Sequence, residues 1–152
     1  MADPPKDPHE AVLTHAWAWF AMHAQQRMQT VNFFLVVEGV LLSAVGVTAK
    51  EQLYGYQFAA GLLIVLMAVL FWAVDLRVRN LVRVGKAALQ AEQAHLATQS
   101  SITAIELVKL SEPTNMLAPT YGRIFSIMFL VFIAIGVGVA AVACHALGWC
   151  SC

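Results

Sequence analysis

Three stretches of the chain drop the usual mixture of polar and apolar positions and become almost wholly apolar. The first runs from Val31 to Ala49 and is broken by Asn32 and Glu38. The second, Phe58 to Val74, carries no charge, and the third, Ile124 to Leu147, is rich in Gly, Ala and Val. About 20 apolar residues cross the hydrocarbon core as a helix. The pattern therefore predicts transmembrane helices over 31–49, 58–76 and 124–147. The first run begins only at Val31, with no basic leader tight against it and no cleavage site, so it does not read as a signal peptide.

Between and before these runs the apolar residues return to a helical period. Residues 1–8, rich in Pro and Asp, have no such period and read as a disordered leader. Asp7 then suits a helix cap, with Pro8 at the first helical position and Glu10 in the first turn. Leu13, Trp17, Phe20, Ala24, Met28, Val31 and Leu35 share one face, and no Pro or Gly interrupts before Gly39. Residues 9–30 thus form either the foot of one long helix or a separate interfacial helix, since Trp17 and Trp19 favour the headgroup layer. The second run also passes into charge without a breaker, and Val78, Val82, Leu89 and Leu96 continue a stripe to about Gln99. Thr103 and Glu106 suit a capping box for a short helix over 104–110. Pro113 and Pro119 bracket the irregular segment 112–123. The fold class expected is an all-α membrane protein whose long helices extend into a small cytoplasmic helical bundle, with 77–123 as its hairpin.

Composition agrees with this reading. The chain is 60% hydrophobic and 12% charged, against about 25% charged in soluble domains. Its zero net charge argues against direct nucleic-acid binding. Arg77, Arg79, Arg83, Lys86, Lys109 and Arg123 fall between the second and third runs, and no Lys or Arg follows the third. That asymmetry puts the N-terminus and 77–123 in the cytoplasm, with loop 50–57 and tail 148–152 outside. Cys144, Cys150 and Cys152 all lie at that outer end, where a disulfide can persist. Cys150 and Cys152 are too close to pair easily with each other. The tail either uses Cys144 or a neighbouring protomer, or holds unpaired thiols.

No catalytic constellation emerges. His9-Glu10-Ala11-Val12-Leu13 starts like a zinc-protease helix, but Leu13 stands where the second His must be. His15, Trp19 and His23 recur at steps of four with no carboxylate or Cys at ligand spacing. Phosphate loops and nucleophile elbows are missing from the sequence. The expectation is a protein that is not an enzyme and carries no metal or cofactor.

Two stretches are more patterned than packing requires. One is Phe20-Ala21-Met22-His23-Ala24-Gln25-Gln26-Arg27-Met28-Gln29-Thr30-Val31-Asn32-Phe33-Phe34-Leu35. The other is Phe71-Trp72-Ala73-Val74-Asp75-Leu76-Arg77-Val78-Arg79-Asn80-Leu81. Each falls where its helix crosses the cytoplasmic interface, which predicts a polar cluster of His23, Arg27, Asn32, Asp75 and Arg79. Arg27 with Asp75 is the natural ion pair; the alternative is separate charges meeting headgroups. Over residues 15–95 these stretches resemble a group of small bacterial three-span membrane proteins, some encoded beside anti-phage defence genes. They loosely resemble the accessory membrane-pore family of type VI CRISPR systems. The resemblance implies a membrane effector or pore. Helical ribonuclease domains of defence proteins place a His four to six residues after an Arg, and Arg27, Arg83 and Arg123 lack one.

Glu38 is the residue that demands a reason, because a charge at bilayer depth costs roughly 2.5–3.5 kcal/mol on insertion scales. Three readings stay open. The carboxyl is protonated and hydrogen-bonded within the bundle, for instance to Ser126; it pairs with Arg123 or another snorkelling base; or it faces a wet cavity ringed by copies of itself. Gly39 and Ser43, with Gly46 one turn on, and the Ala134–Ala141 stretch with Gly136 and Gly138 are small-residue faces suited to close helix packing. The expected function is a homo-oligomeric pore-forming or membrane-perturbing effector. The rivals are a non-conducting anchor for a cytoplasmic partner bound through 77–123, and a holin-like lysis protein.

Overall fold

The computed structural model describes residues 8–100, 108 and 121–149. Three helices make up nearly all of it: α1 (Pro8–Lys50), α2 (Tyr54–Ser100) and α3 (Tyr121–Ala146). Each is long and apolar enough to cross a membrane. There is no strand among the described residues. The fold is all-helical, and α1 runs unbroken through the first apolar run, so no separate interfacial helix precedes it. Of the helix expected over 104–110 only Val108 lies among the described residues, and it is helical. Of the leader expected over 1–8, residues 1–7 lie outside them, and Pro8 belongs instead to the first turn of α1.

The connection between α1 and α2 is tighter than a 50–57 loop. Its turn holds only residues 51–53, because α1 ends in a paired set of reverse bonds. Gln52 takes a left-handed φ of 57°, Leu53 N–H donates to Thr48 O at 2.8 Å and Gln52 N–H to Ala49 O at 3.2 Å. This is the geometry that satisfies terminal carbonyls at a helix end. The end of α3 repeats it with Gly148 at φ 70°, Trp149 N–H on Cys144 O and Gly148 N–H on His145 O.

The chain divides into two compact units, and each is described by itself. Unit 2 comprises residues 28–76 and 119–152. Its α2 is antiparallel to both α1 and α3. Going along α2, Phe58 meets Trp149, Gly61 meets Ala140 and Gly136, and Ile64 and Val65 meet Gly136. The apolar core is Val31, Phe34, Ala68, Phe125 and Phe129, with Phe71, Trp72, Met128, Phe132 and Ile133 packed against it. Phe34 is its centre, with ring centroids 5.6 Å from Phe71, 4.8 Å from Phe129 and 5.0 Å from Phe132.

Unit 1 comprises residues 1–27 and 77–118. There Trp19 Nε1 donates to Leu81 O at 3.3 Å, and Gly85 lies against Trp19 and Phe20. Ala16, Leu89 and Ala97 are its buried apolar positions. Gln93 Oε1 accepts from Val108 N–H at 3.0 Å.

Candidate functional site

The inward positions of α1 and α2 follow steps of three and four, the seam of a left-handed helix bundle. On α1 within unit 2 the seam is Val31, Phe34 and Glu38; on α2 it is Gln57, Gly61, Ile64, Ala68, Phe71 and Asp75. Polar residues occupy seam positions that elsewhere hold Phe, Ile and Ala. Glu38 is wholly inaccessible, Asp75 nearly so, and Gln57 is buried.

Glu38 is the unusual member of this set. Neither Oε1 nor Oε2 has a hydrogen-bond partner among the described residues. Phe34 lies level with Phe71, Phe129 and Phe132. One turn on, Glu38 is therefore level with the Ile64–Ala68 stretch of α2 and with Ile133–Gly136 of α3, all apolar. Ser126 does not reach it. Its hydroxyl donates to Gly122 O at 2.9 Å, and it lies on the other side of the phenylalanine layer, about 10–15 Å from Glu38 along the axis at about 1.5 Å per residue. Arg123, further still in that direction, is exposed. Facing inward as it does, Glu38 cannot form a ring with copies of itself while the protomer keeps this packing. Gln57 Oε1 and Trp72 Nε1 are also buried and unpartnered among the described residues, so unsatisfied polar atoms run along the interior of this unit.

Each residue of the expected interfacial cluster is described within its own unit. His23 is buried in unit 1, its Nδ1–H donating to Trp19 O at 2.8 Å and its ring 4.4 Å from the Trp19 ring. Arg27 and Arg79 are half-buried in unit 1 and Asp75 is buried in unit 2; all three are engaged in interactions. Asn32 instead faces outward on α1, beside Gln29, Phe33 and Val36, on the side opposite the seam.

The small residues separate as well. Gly136 is a true packing glycine, since an added Cβ would lie 2.8 Å from Gly61 O and from methyls of Ile64 and Val65. Gly39 and Gly138 are exposed, and a Cβ on either meets nothing within 4 Å. Ser43 is exposed and turns its hydroxyl back to Gly39 O at 2.8 Å. Gly61 and Gly85, which the apolar pattern alone does not flag, are the partners that matter inside the protomer. Their signal was the three-four step of the α2 seam. Cys144 is disulfide-bonded, while Cys150 and Cys152 lie outside the described residues. Among the described residues no group of three or more His, Cys, Asp or Glu could hold a metal ion.

Sequence comparison decides the family. Over 125 residues, 77% of this chain and 80% of the relative, the chain is 30% identical to CD-NTase-associated protein 19 of Escherichia coli. The chain belongs to the CD-NTase-associated protein 19 family. No family model matches it, and no solved structure does. The CD-NTase-associated protein 19 match, and not a CRISPR pore family, is the kinship the comparison shows. For this member of the CD-NTase-associated protein 19 family, the buried, unpartnered Glu38 carboxyl in its apolar surroundings is the candidate site.

Proposed function

We propose that this protein is an inner-membrane effector of a CBASS anti-phage system, which assembles into oligomers and permeabilises the bilayer when the system is triggered. Family membership supports the defence role, because the relative is named for its association with a CD-NTase. The apolar helices support action within a membrane.

Glu38 carries the membrane-perturbing part of the reading. A carboxylate without a partner at bilayer depth is expensive, and intramembrane ionisable groups ordinarily serve function. Its burial weakens the closed bundle and favours any arrangement that hydrates it. Three helices of one chain enclose no ion path, so conduction needs several copies. Acidic rings select cations, and opening would turn α1 until Glu38 meets water. The Lys and Arg distribution supports a cytoplasmic N-terminus. A disulfide at Cys144 fits an oxidising compartment at the far end of α3. The protein acts by assembly and carries out no bond chemistry.

The test is ion flux through liposomes holding wild type or Glu38→Gln at matched oligomer content. Wild type should pass cations and Glu38→Gln should pass fewer. No flux from either rejects the pore. Equal flux keeps the pore and removes Glu38 from its conducting surface. A second reading, a membrane anchor for a cytoplasmic partner, is favoured by the extent of unit 1, and predicts a stable complex through 77–123 with no flux.

A further inference from the structure

Among the described residues Glu38 is the most completely enclosed ionisable group, and neither of its carboxyl oxygens has a hydrogen-bond partner there. The elements packed around it supply no counter-charge. On α2 no titratable residue stands between Gln57 and Val74, and on α3 none stands between Ile124 and Ala143. Asp75, the nearest acid of α2, is about 10 Å beyond Ala68 along the axis at about 1.5 Å per residue. On α1 itself the nearest charges are Arg27 and Lys50, each about three turns away.

An ionised carboxylate in such a place loses its water and gains nothing in return. The acid form carries no net charge, and its remaining cost is that of a neutral group left without hydrogen bonds. The packing therefore selects the acid, and the carboxyl holds a proton in place of a partner. Water reverses the choice, because a carboxyl in water gives its proton up above about pH 4.3. Turning α1 until Glu38 is hydrated thus releases one proton from each copy.

We infer that Glu38 is a proton-binding site, loaded in the closed bundle and emptied on opening, so that rising pH favours the open assembly. The site itself needs no pore; its link to opening rests on the proposed function. The sign follows from which state holds more protons. The closed state keeps one that the hydrated state has lost, so acid favours closure and alkali favours opening. For one fully coupled proton the open-to-closed ratio shifts roughly tenfold per pH unit for each copy.

The site is tested by carbodiimide labelling of the full-length protein in liposomes at neutral pH, read by peptide mass spectrometry. A protonated carboxyl adds to a carbodiimide: the proton passes to one nitrogen and the oxygen bonds the central carbon. Acyl migration to nitrogen then leaves a stable N-acylurea, with nothing released. Lipid-soluble dicyclohexylcarbodiimide should modify Glu38. A water-soluble carbodiimide should leave Glu38 untouched while it reaches the exposed Glu51. The link to opening is tested by cation flux as pH is raised from acid to alkaline. Flux should climb by up to roughly tenfold per pH unit in wild type and stay flat in Glu38→Gln, which has no proton to release. Absence of the dicyclohexylcarbodiimide adduct overturns the proton site. So does equal labelling of Glu38 by the water-soluble reagent, which would put the carboxyl in water at rest. An adduct together with flux that ignores pH overturns the link to opening. An adduct with no flux at any pH supports the site and rejects the pore, whereas flux without the adduct rejects the site and spares the pore.

Discussion

Close helix approach is built differently in the two units. In unit 1, a Cβ on Gly85 would lie closest to a side chain, 2.9 Å from Cδ1 of Trp19, with the Phe20 backbone Cα and its Cβ further off at 3.3 Å. In unit 2, a Cβ on Gly61 would meet backbone, Ala140 N at 2.8 Å and Gly136 O at 2.9 Å. A side chain can tilt away, whereas two helix backbones must separate. Unit 2 also hides Glu38, Asp75 and Gln57 while exposing Leu, Val and Ile. Unit 1 exposes His15, Arg77, Arg83 and His95 together with Trp17 and Val84, and buries Leu89 together with His23, whose ring is capped on Trp19 O. The contrast fits two solvents. In lipid, apolar side chains gain nothing by leaving the solvent, so dense contact and interhelical polar bonds must hold helices together. In water, burial of apolar area supplies the drive.

The contrast breaks outright if the two units share a solvent. A reporter fused after Ala97 should be cytoplasmic and one after Cys152 extracytoplasmic; both on the same side would remove the three-span topology. The next largest effect belongs to the glycine pair. Gly61→Val or Gly136→Val should prevent folding of unit 2, and the corresponding Ala variants should cost about 1–3 kcal/mol as overpacking, read by unfolding in mixed micelles. Gly138→Ala, in open space, should do no harm and gain up to about 1 kcal/mol of helix propensity.

Leu89→Ala should lose both transfer and cavity terms, about 2–5 kcal/mol. Phe34→Ala, with no gain from leaving lipid, should lose mainly the cavity term, about 2 kcal/mol and below the usual range for Phe in water-soluble cores. A larger loss at Phe34 than at Leu89 would show that the two cores do not differ in solvent. The smallest effect is Gly85→Ala. The strain against Trp19 is offset by about 1 kcal/mol of helix propensity, so its stability should move by less than that amount.

Much of the fold was legible in the pattern of apolar residues. The runs at 31–49, 58–76 and 124–147 identify the membrane-crossing helices, and the unbroken period of Val78, Val82, Leu89 and Leu96 carries α2 onward. The facing of particular residues was not. Gly39, Gly136 and Gly138 look alike in sequence, yet only Gly136 packs inside the protomer. Stepping back from Val78 by three and four through Asp75, Phe71, Ala68 and Ile64 reaches Gly61, and stepping forward through Val82 reaches Gly85. The orientation of Glu38 was harder, because a three-helix unit surrounds α1 on one side only. Which side is inward depends on Phe34 meeting Phe71 and Phe129, contacts between residues far apart in the chain.

The three-residue turn after Lys50 bears on how the protein is made. On an insertion scale α1 is the weaker helix, burdened by Glu38 and Asn32, whereas the 58–74 run of α2 has no charge to resist partition. With only residues 51–53 between the helices, neither can partition far ahead of the other. The strongly lipophilic helix thus draws the reluctant one in with it, and the cost of Glu38 falls on the pair. For the membrane-insertion machinery the working substrate is the hairpin. A chain severed between Lys50 and Tyr54 would leave α1 to enter the bilayer without that help.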